Sequence, residues 1–257
     1  MGRLSRLYAV AANAYRESVR ERVLYNLVFF AIVMTVSGLA LGQLSIRQDD
    51  KIIKDLGLGS MELFGNLIAI FIGVGLVSKE IERRSLYPLL AKPLERGEFL
   101  LGKFAGLSFT LLVNVLVMSA GLFLTLVLTG GKPTPRLLCA IYPIYLGLVV
   151  VVAIALLFST LTSSALAAVE TVCLVVAGRF SDVIRNARVL APAAPSWLLD
   201  LVYYALPNLK TFDVKDRVVY GDPVTGGDLL WITVYALSYV GILLGLAVLS
   251  FRSRDLK

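Results

Sequence analysis

Ten charged side chains lie within the twenty-five residues 79–103, between two long apolar stretches. Six are Lys or Arg and four are Glu. Mixed charges around a few leucines are suited to ion pairing and apolar contact with a partner protein. We expect a docking segment whose apolar members enter a groove and whose charged members set the register: Glu80, Ile81, Glu82, Arg83, Arg84, Leu86, Leu89 and Leu90. An ordinary basic loop is the alternative, but it would not require four acidic residues.

Catalytic chemistry finds little support in the chain. The stretch from Gly97 to Lys103 fits the start of a phosphate-binding loop, but Phe104 stands where Ser or Thr would hold magnesium, and an apolar helix begins there. The chain contains no histidine, and Cys139 and Cys173 both fall in predicted spans. We therefore expect no catalytic site, no metal site, no disulfide and no cofactor. ATP hydrolysis, if the protein depends on it, must occur in a partner.

Two polar residues within apolar stretches are candidates for a polar route across the membrane. Glu170 is the only charge embedded in a predicted span, at a cost of about 2–3 kcal/mol. It either lines such a route or snorkels to the nearer interface, and we favour snorkelling. Asn114 lies in another span, where we expect it to make a hydrogen bond between helices.

The composition requires a membrane protein with many spans. Apolar residues make up 58% of the 257 residues, and the mean hydropathy is +0.80. Uncharged runs occur at 24–46, 63–78, 104–131, 137–169 and 229–251. The fourth is too long for one helix and breaks at the hydroxyl-rich stretch 159–164, beyond which 165–178 continues apolar. We expect six spans in a single all-α domain over 1–257.

The basic residues predict the orientation. Fourteen Lys and Arg lie on the side of the N-terminus, whereas the two short opposite loops carry five. Both termini and 79–103 are therefore expected in the cytosol. The net charge of +7 is explained by these topological positions, so we expect no nucleic-acid partner. The external segment 179–228 carries six more basic residues and weakens the asymmetry without reversing it.

The segments outside the spans have distinct patterns. Residues 3–23 show amphipathic periodicity and predict a helix on the cytosolic membrane surface, with a solvated tail as the alternative. Residues 44–62 read as an external loop with at most one helical turn. In 179–228 apolar periodicity predicts helices that lie in the outer interface or re-enter the membrane; a soluble loop is the alternative. Glycine pairs four residues apart favour close helix packing, within the subunit or in a dimer: Gly38/Gly42, Gly102/Gly106 and Gly241/Gly245.

The stretch from Glu80 to Lys103, EIERRSLYPLLAKPLERGEFLLGK, resembles the segment between the second and third spans of ABC-2-type transporter permeases, especially their NosY-related branch. Further similar stretches are Phe158–Ser164, Leu206–Asp213, Val218–Gly221 and Phe251–Asp255. The resemblance implies a six-span permease that dimerises with a second copy or a paralogue and exports a substrate by alternating access. Two cytosolic ATPase subunits would drive it.

In this resemblance, residues 80–92 map onto the coupling helix and 3–22 onto the interfacial connecting helix. The implied location is the bacterial cytoplasmic, or inner, membrane, with lipids around the spans. A scaffold that anchors a membrane complex without transporting is the alternative function, and it would need no ATPase partner.

Overall fold

The computed structural model describes residues 3–20, 29–30, 32–33, 49–82, 96–181 and 206–253. Within these ranges the chain is helical between short turns and forms no strand. The helices are α1 (Arg3–Arg20), α2 (Asp49–Glu82), α3 (Arg96–Leu128), α4 (Leu138–Leu161), α5 (Ser164–Arg179), α6 (Lys215–Tyr220) and α7 (Gly226–Ser253). Two 3-10 turns precede α4 and α6, at Pro135–Leu137 and Leu209–Phe212.

Four of these helices are long and apolar enough to cross a membrane, which confirms the all-helical membrane class. The qualifying stretches, in α2, α3, α4 and α7, are Lys51–Gly75, Gly97–Leu128, Pro135–Leu161 and Gly226–Phe251. The predicted fifth span is α5, which has 16 residues and a length of about 24 Å. Apart from 29–30 and 32–33, the predicted first span 24–46 lies outside the described residues. The count of six therefore stays a prediction.

The bundle has two ends that can be told apart by their contacts. At the α1 end, α1 meets the start of α3 and the end of α7, where Val10 packs beside the stacked rings of Phe99 and Phe251. At the α6 end, the ammonium group of Lys51 lies 5.6 Å from the centre of the Tyr220 ring and joins the start of α2 to α6. The successive long helices therefore run in opposite directions between these ends.

The predicted break at 159–164 is confirmed, but it is shorter than the hydroxyl run. Helix α4 continues to Leu161, and α5 begins at Ser164. Ser159 donates its hydroxyl proton to the carbonyl oxygen of Ala155 at 2.6 Å, within α4. A hydroxyl group that is bonded to a carbonyl oxygen of its own helix does not favour a non-helical backbone. Only two residues therefore lie between the two helices.

The prediction of a loop over 44–62 is wrong for the part that the structure describes, because α2 begins at Asp49. Two glycines in this stretch lower its helix propensity. Packing outweighs that loss, since Leu58 and Met61 are both completely buried. A helix of this length extends about 20 Å beyond the 30 Å apolar core of a bilayer.

Two other predicted boundaries shift at the α1 end. The amphipathic helix predicted over 3–23 is observed as α1, and residues 21–23 lie outside the described ranges. The third span was expected to begin at 104, but α3 begins at Arg96, so two of its turns belong to the charged segment. Apolar contacts made by Phe99 and Leu100, which are both buried, explain the earlier start.

Helices α2 and α4 approach closely because two glycines of α2 face α4. A Cβ atom at Gly65 would lie 2.6 Å from a methyl carbon of Leu148, and one at Gly73 would lie 2.7 Å from the Cβ atom of Ala155. Such contacts leave no room for a side chain on this face of α2. The backbones of α2 and α4 therefore lie close together along this face.

Candidate functional site

The predicted docking residues belong to the charged segment that leaves α2 and enters α3. Glu80, Ile81 and Glu82 are the last three residues of α2. The other predicted members lie outside the described residues: Arg83, Arg84, Leu86, Leu89 and Leu90. The structure thus describes the two points at which the charged segment joins the bundle, the end of α2 and the start of α3. A force on the segment would reach the bundle at these points.

One attachment point is the start of α3, where two glycines allow α1 to pack closely. A Cβ atom at Gly102 would lie 2.8 Å from the Cβ atom of Val10. At Gly106 it would collide with the carbonyl oxygen of Ala11 and lie 2.8 Å from the Cβ atom of Ala14. This pair therefore packs within the subunit, as one of the two sequence readings proposed.

A buried charge pair reinforces the same contact. The ammonium group of Lys103 lies 3.3 Å from a carboxylate oxygen of Glu17 in α1, and it is 5.8 Å from the centre of the Phe99 ring. Only 1% of the Lys103 side chain is exposed, whereas 35% of the Glu17 side chain is exposed, so separating the pair would remove a carboxylate from a buried cation. We call the contact of Gly102, Gly106 and Lys103 with α1 the α1–α3 joint.

The end of α7 also packs on the first turn of α3. Val248 lies 3.4 Å from the position of a Cβ atom at Gly97, next to the ring pair of Phe99 and Phe251. The start of α3 is therefore held between α1 and the end of α7. A displacement of the charged segment at this point would move three helices together.

Glu170 lies beside the turn between α4 and α5, where it is partly exposed. It accepts a hydrogen bond of 3.0 Å from the hydroxyl group of Thr162. The single proton of that hydroxyl can instead be donated to the carbonyl oxygen of Phe158, which lies 3.1 Å away. A carboxylate that reaches back to the turn at the helix start fits the snorkelling reading of this residue.

Within the part of the chain that the structure describes, Asn114 makes no hydrogen bond between helices, although its sequence position predicts one. Its amide nitrogen donates to the carbonyl oxygen of Thr110, one turn earlier in α3, at 3.0 Å. The prediction is wrong because a nearby backbone acceptor of the same helix satisfies the donor. Among the described residues, no hydrogen bond or ion pair links Asn114 to Glu170, so the structure does not join the two into one route.

In the transporter that the sequence resemblance implies, we expect the substitution Glu170→Gln to leave transport and ATP hydrolysis unchanged, with equal or slightly higher thermal stability. The glutamine oxygen still accepts the proton of Thr162, and the cost of placing a charge near the membrane disappears. The measurement is ATP hydrolysis at matched expression. A large loss of activity in a complex that still assembles would instead establish Glu170 as part of a polar route.

A second charged site lies toward the α6 end. Two acids and two bases from α2, α5, the stretch before α6 and the start of α6 form a continuous group, which we call the outer ion cluster: Glu62, Arg179, Asp213 and Lys215. Arg179 pairs with Glu62 and lies 4.0 Å from Asp213. Lys215 lies 3.6 Å from Glu62 and 3.8 Å from Asp213. The Glu62 side chain is the least exposed of the four, at 9%.

Sequence reasoning placed Glu62 and Arg179 at span boundaries and missed the cluster. Glu62, Arg179 and the neighbouring residues Asp213 and Lys215 come from three separate parts of the sequence, and only the fold brings these parts together. One signal was present, since opposite charges stood at the predicted outer limits of two spans. Such charges meet when the spans are neighbours and antiparallel.

Comparison with known families gives a match that covers most of these features. Residues 8–180 match the family model described as "ABC-2 family transporter protein". This range is more than half of the 257-residue chain and contains the charged segment, the α1–α3 joint and α2 to α5. No curated protein shows significant similarity to the chain.

Proposed function

The chain belongs to the ABC-2 family of transporter proteins, and from that membership we propose that it is the permease of an exporter driven by a separate cytosolic ATPase through alternating access. Members of this family are non-catalytic membrane subunits that pair with an ATP-hydrolysing protein. The observation that carries the proposal is the family match over 8–180, which includes the charged segment between α2 and α3. The NosY-related branch stays a prediction.

We propose six spans, with 24–46 as the first and α5 as the fifth. Support comes from the described residues on either side of 24–46, because α1 lies at one end of the bundle and α2 begins at the other. The chain must pass from one end to the other between them. For α5, the apolar outer face and the terminal Arg179, whose long side chain reaches the interface, favour a short span.

The α1 end is proposed to face the cytosol of a bacterium, with the protein in its cytoplasmic membrane. The excess of Lys and Arg in the segments assigned to this end supports that orientation. The amphipathic α1 then lies near the inner membrane surface, where its interfacial role remains a proposal. Both termini share this side.

The proposed coupling runs from the charged segment into two helix pairs. An ATPase that moves the segment shifts the end of α2 and the start of α3 together. Through the α1–α3 joint, α1 follows α3, and through the glycine contacts of α2, α4 follows α2. Movement of the charged segment would therefore be passed to four helices through the contacts of the described residues.

A second permease copy or a paralogue is proposed to complete the transporter, as in the family that the sequence resembles. The exposed faces of the long helices are apolar and suit either lipid or another subunit. A scaffold, the alternative function, would keep the same helices but bind no ATPase.

Reversing both charges at Arg83 and Arg84 to Glu should reduce recovery of the ATPase subunit in a pull-down by roughly tenfold, the effect of about 1.4 kcal/mol on binding. Exposed charges contribute little to folding, so membrane expression should not change. The same double reversal at Lys132 and Arg136, exposed residues at the opposite end, is the matched control. Equal recovery in both variants would place the docking surface elsewhere.

A further inference from the structure

The stretch 206–214 is inserted among the helices at the α6 end and does not lie on top of them. Leu209 and Phe212 are almost completely buried. The ring of Phe212 lies 3.4 Å from the position of a Cβ atom at Gly147, nine residues into α4. At the helical rise, that depth is about 13 Å below the start of α4. This part of the predicted external segment therefore re-enters the bundle.

Two hydrogen bonds of Asn208 hold the start of this inserted stretch. The side chain of Ser181 donates to the Asn208 side-chain oxygen at 2.9 Å, and the Asn208 backbone N–H donates to the Tyr235 hydroxyl at 2.8 Å. The carbonyl oxygen of Pro207 rests on Gly178, where a Cβ atom would collide with it. Gly147 and Gly178 thus present no side chains to the stretch. The stretch can separate from them without disengaging interlocked side chains.

The outer ion cluster lies where this stretch leaves the bundle. Asp213 belongs to the stretch, and Lys215 is the first residue of α6, which follows it. These two residues pair with Arg179 and Glu62 of the longer helices. Asp213, Lys215 and Arg179 have side chains that are 22–30% exposed. Water that reaches these groups can solvate them when the pairs separate, so breaking the cluster does not leave bare charges in an apolar interior.

A hinge is available on the far side of the stretch. Gly221 ends α6 with a φ of 91°, in the left-handed region that only glycine adopts without strain. Below the cluster, a small, partly open pocket between α2, α4 and α5 is lined by Phe212 and by the polar side chains of Glu62, Asn66 and Arg179. Moving the stretch outward about Gly221 would remove Phe212 from this pocket and widen it toward the outside.

We propose that residues 206–220 form an outward gate, which the outer ion cluster holds shut and which opens to release the substrate. The inference rests on the proposed permease function for what passes through, but the lock itself rests on the contacts described here. It assigns Glu62 and Arg179 as the fixed half of the lock and Asp213 and Lys215 as its moving half.

The lock can be tested without ATP, substrate or partner. In a background with Cys139→Ser and Cys173→Ser, the variant Leu209→Cys places one thiol on the buried face of the gate. A membrane-impermeant sulfonated maleimide added from the outside should label it slowly. Adding Lys215→Gln should speed labelling roughly fivefold, the change that about 1 kcal/mol of ion pairing produces. Thr211→Cys, half-buried in the same turn, replaces Leu209→Cys if that variant does not fold.

Lys210→Gln is the matched control, because it removes the same charge from an exposed position of the same stretch. Labelling should stay slow in this control. Equal labelling rates in the Lys215→Gln and Lys210→Gln variants would overturn the lock.

Opening during the cycle is tested in the complex with the ATPase. ATP and magnesium should speed labelling of the Leu209→Cys variant while the outer ion cluster is intact. In a second experiment, a disulfide formed by oxidation of the Ser181→Cys/Asn208→Cys variant should slow ATP hydrolysis, and reduction by dithiothreitol should restore it. Full hydrolysis by the crosslinked complex would overturn the gate. If Lys215→Gln speeds labelling but ATP and magnesium do not, the result would support the lock and contradict the proposed function.

Discussion

Replacing Gly106 by Leu should separate α1 from α3 and prevent the permease from accumulating in a folded form. The carbonyl oxygen of Ala11 and the Cβ atom of Ala14 occupy the space that a side chain would need. Backbone atoms of a helix cannot move aside as the end of a flexible side chain can. We expect a loss of at least about 1–3 kcal/mol, the usual cost of overpacking, and separation of the buried Lys103–Glu17 pair in addition.

Gly245→Leu is the matched control, since Gly245 also belongs to a pair of glycines four residues apart in a long apolar helix. No atom of the described residues lies within 4 Å of a Cβ atom at this position. Thermal stability and monodispersity of the two purified variants are compared with those of the parent. Equal stability of Gly106→Leu and the parent would contradict the α1–α3 joint, whereas a loss for Gly245→Leu would place a second subunit against α7.

Replacing Glu62 by Ala should be the most damaging change in the outer ion cluster. The Glu62 carboxylate contacts both Arg179 and Lys215, and its removal leaves two cations to share Asp213. Removing one partner of a buried ion pair costs about 3–5 kcal/mol. Because Arg179 and Lys215 are partly exposed, we expect about 2–3 kcal/mol here, measured as lower thermal stability of the purified protein.

Glu170→Ala provides the comparison for this change. Glu170 is also a glutamate near the limit of a predicted span, but its hydrogen bond is to the Thr162 hydroxyl and not to a cation. Its removal should lower the thermal stability little. Equal losses in the two variants would show that the cluster contributes no more than a single hydrogen bond.

Local patterns predicted those features that short stretches of sequence determine. The amphipathic helix of α1, the apolar spans in α2, α3, α4 and α7 and the turn between α4 and α5 all followed from periodicity, composition and hydroxyl spacing. The residues of the charged segment also carried a resemblance to the family that the match over 8–180 then confirmed.

Features that depend on distant contacts could not be predicted. The glycines of 49–62 favour a loop locally, but the burial of Leu58 and Met61 extends α2 through them. Asn114 has a polar side chain in an apolar span, and sequence gives no means of choosing between a neighbouring helix and the backbone one turn away. The outer ion cluster joins α2, α5 and the residues at the start of α6, which only the packed bundle brings within 4 Å.

The central claim is that this chain is the permease of an ABC transporter and is driven through 79–103. Its most direct test is to purify the tagged, full-length protein from its own membrane, identify co-purifying proteins by mass spectrometry and measure ATP hydrolysis. We predict a protein with ATP-binding-cassette motifs in equal number with the chain, and its loss from the Arg83→Glu/Arg84→Glu variant. A stable native complex that contains the chain but no ATP-hydrolysing subunit would contradict the claim.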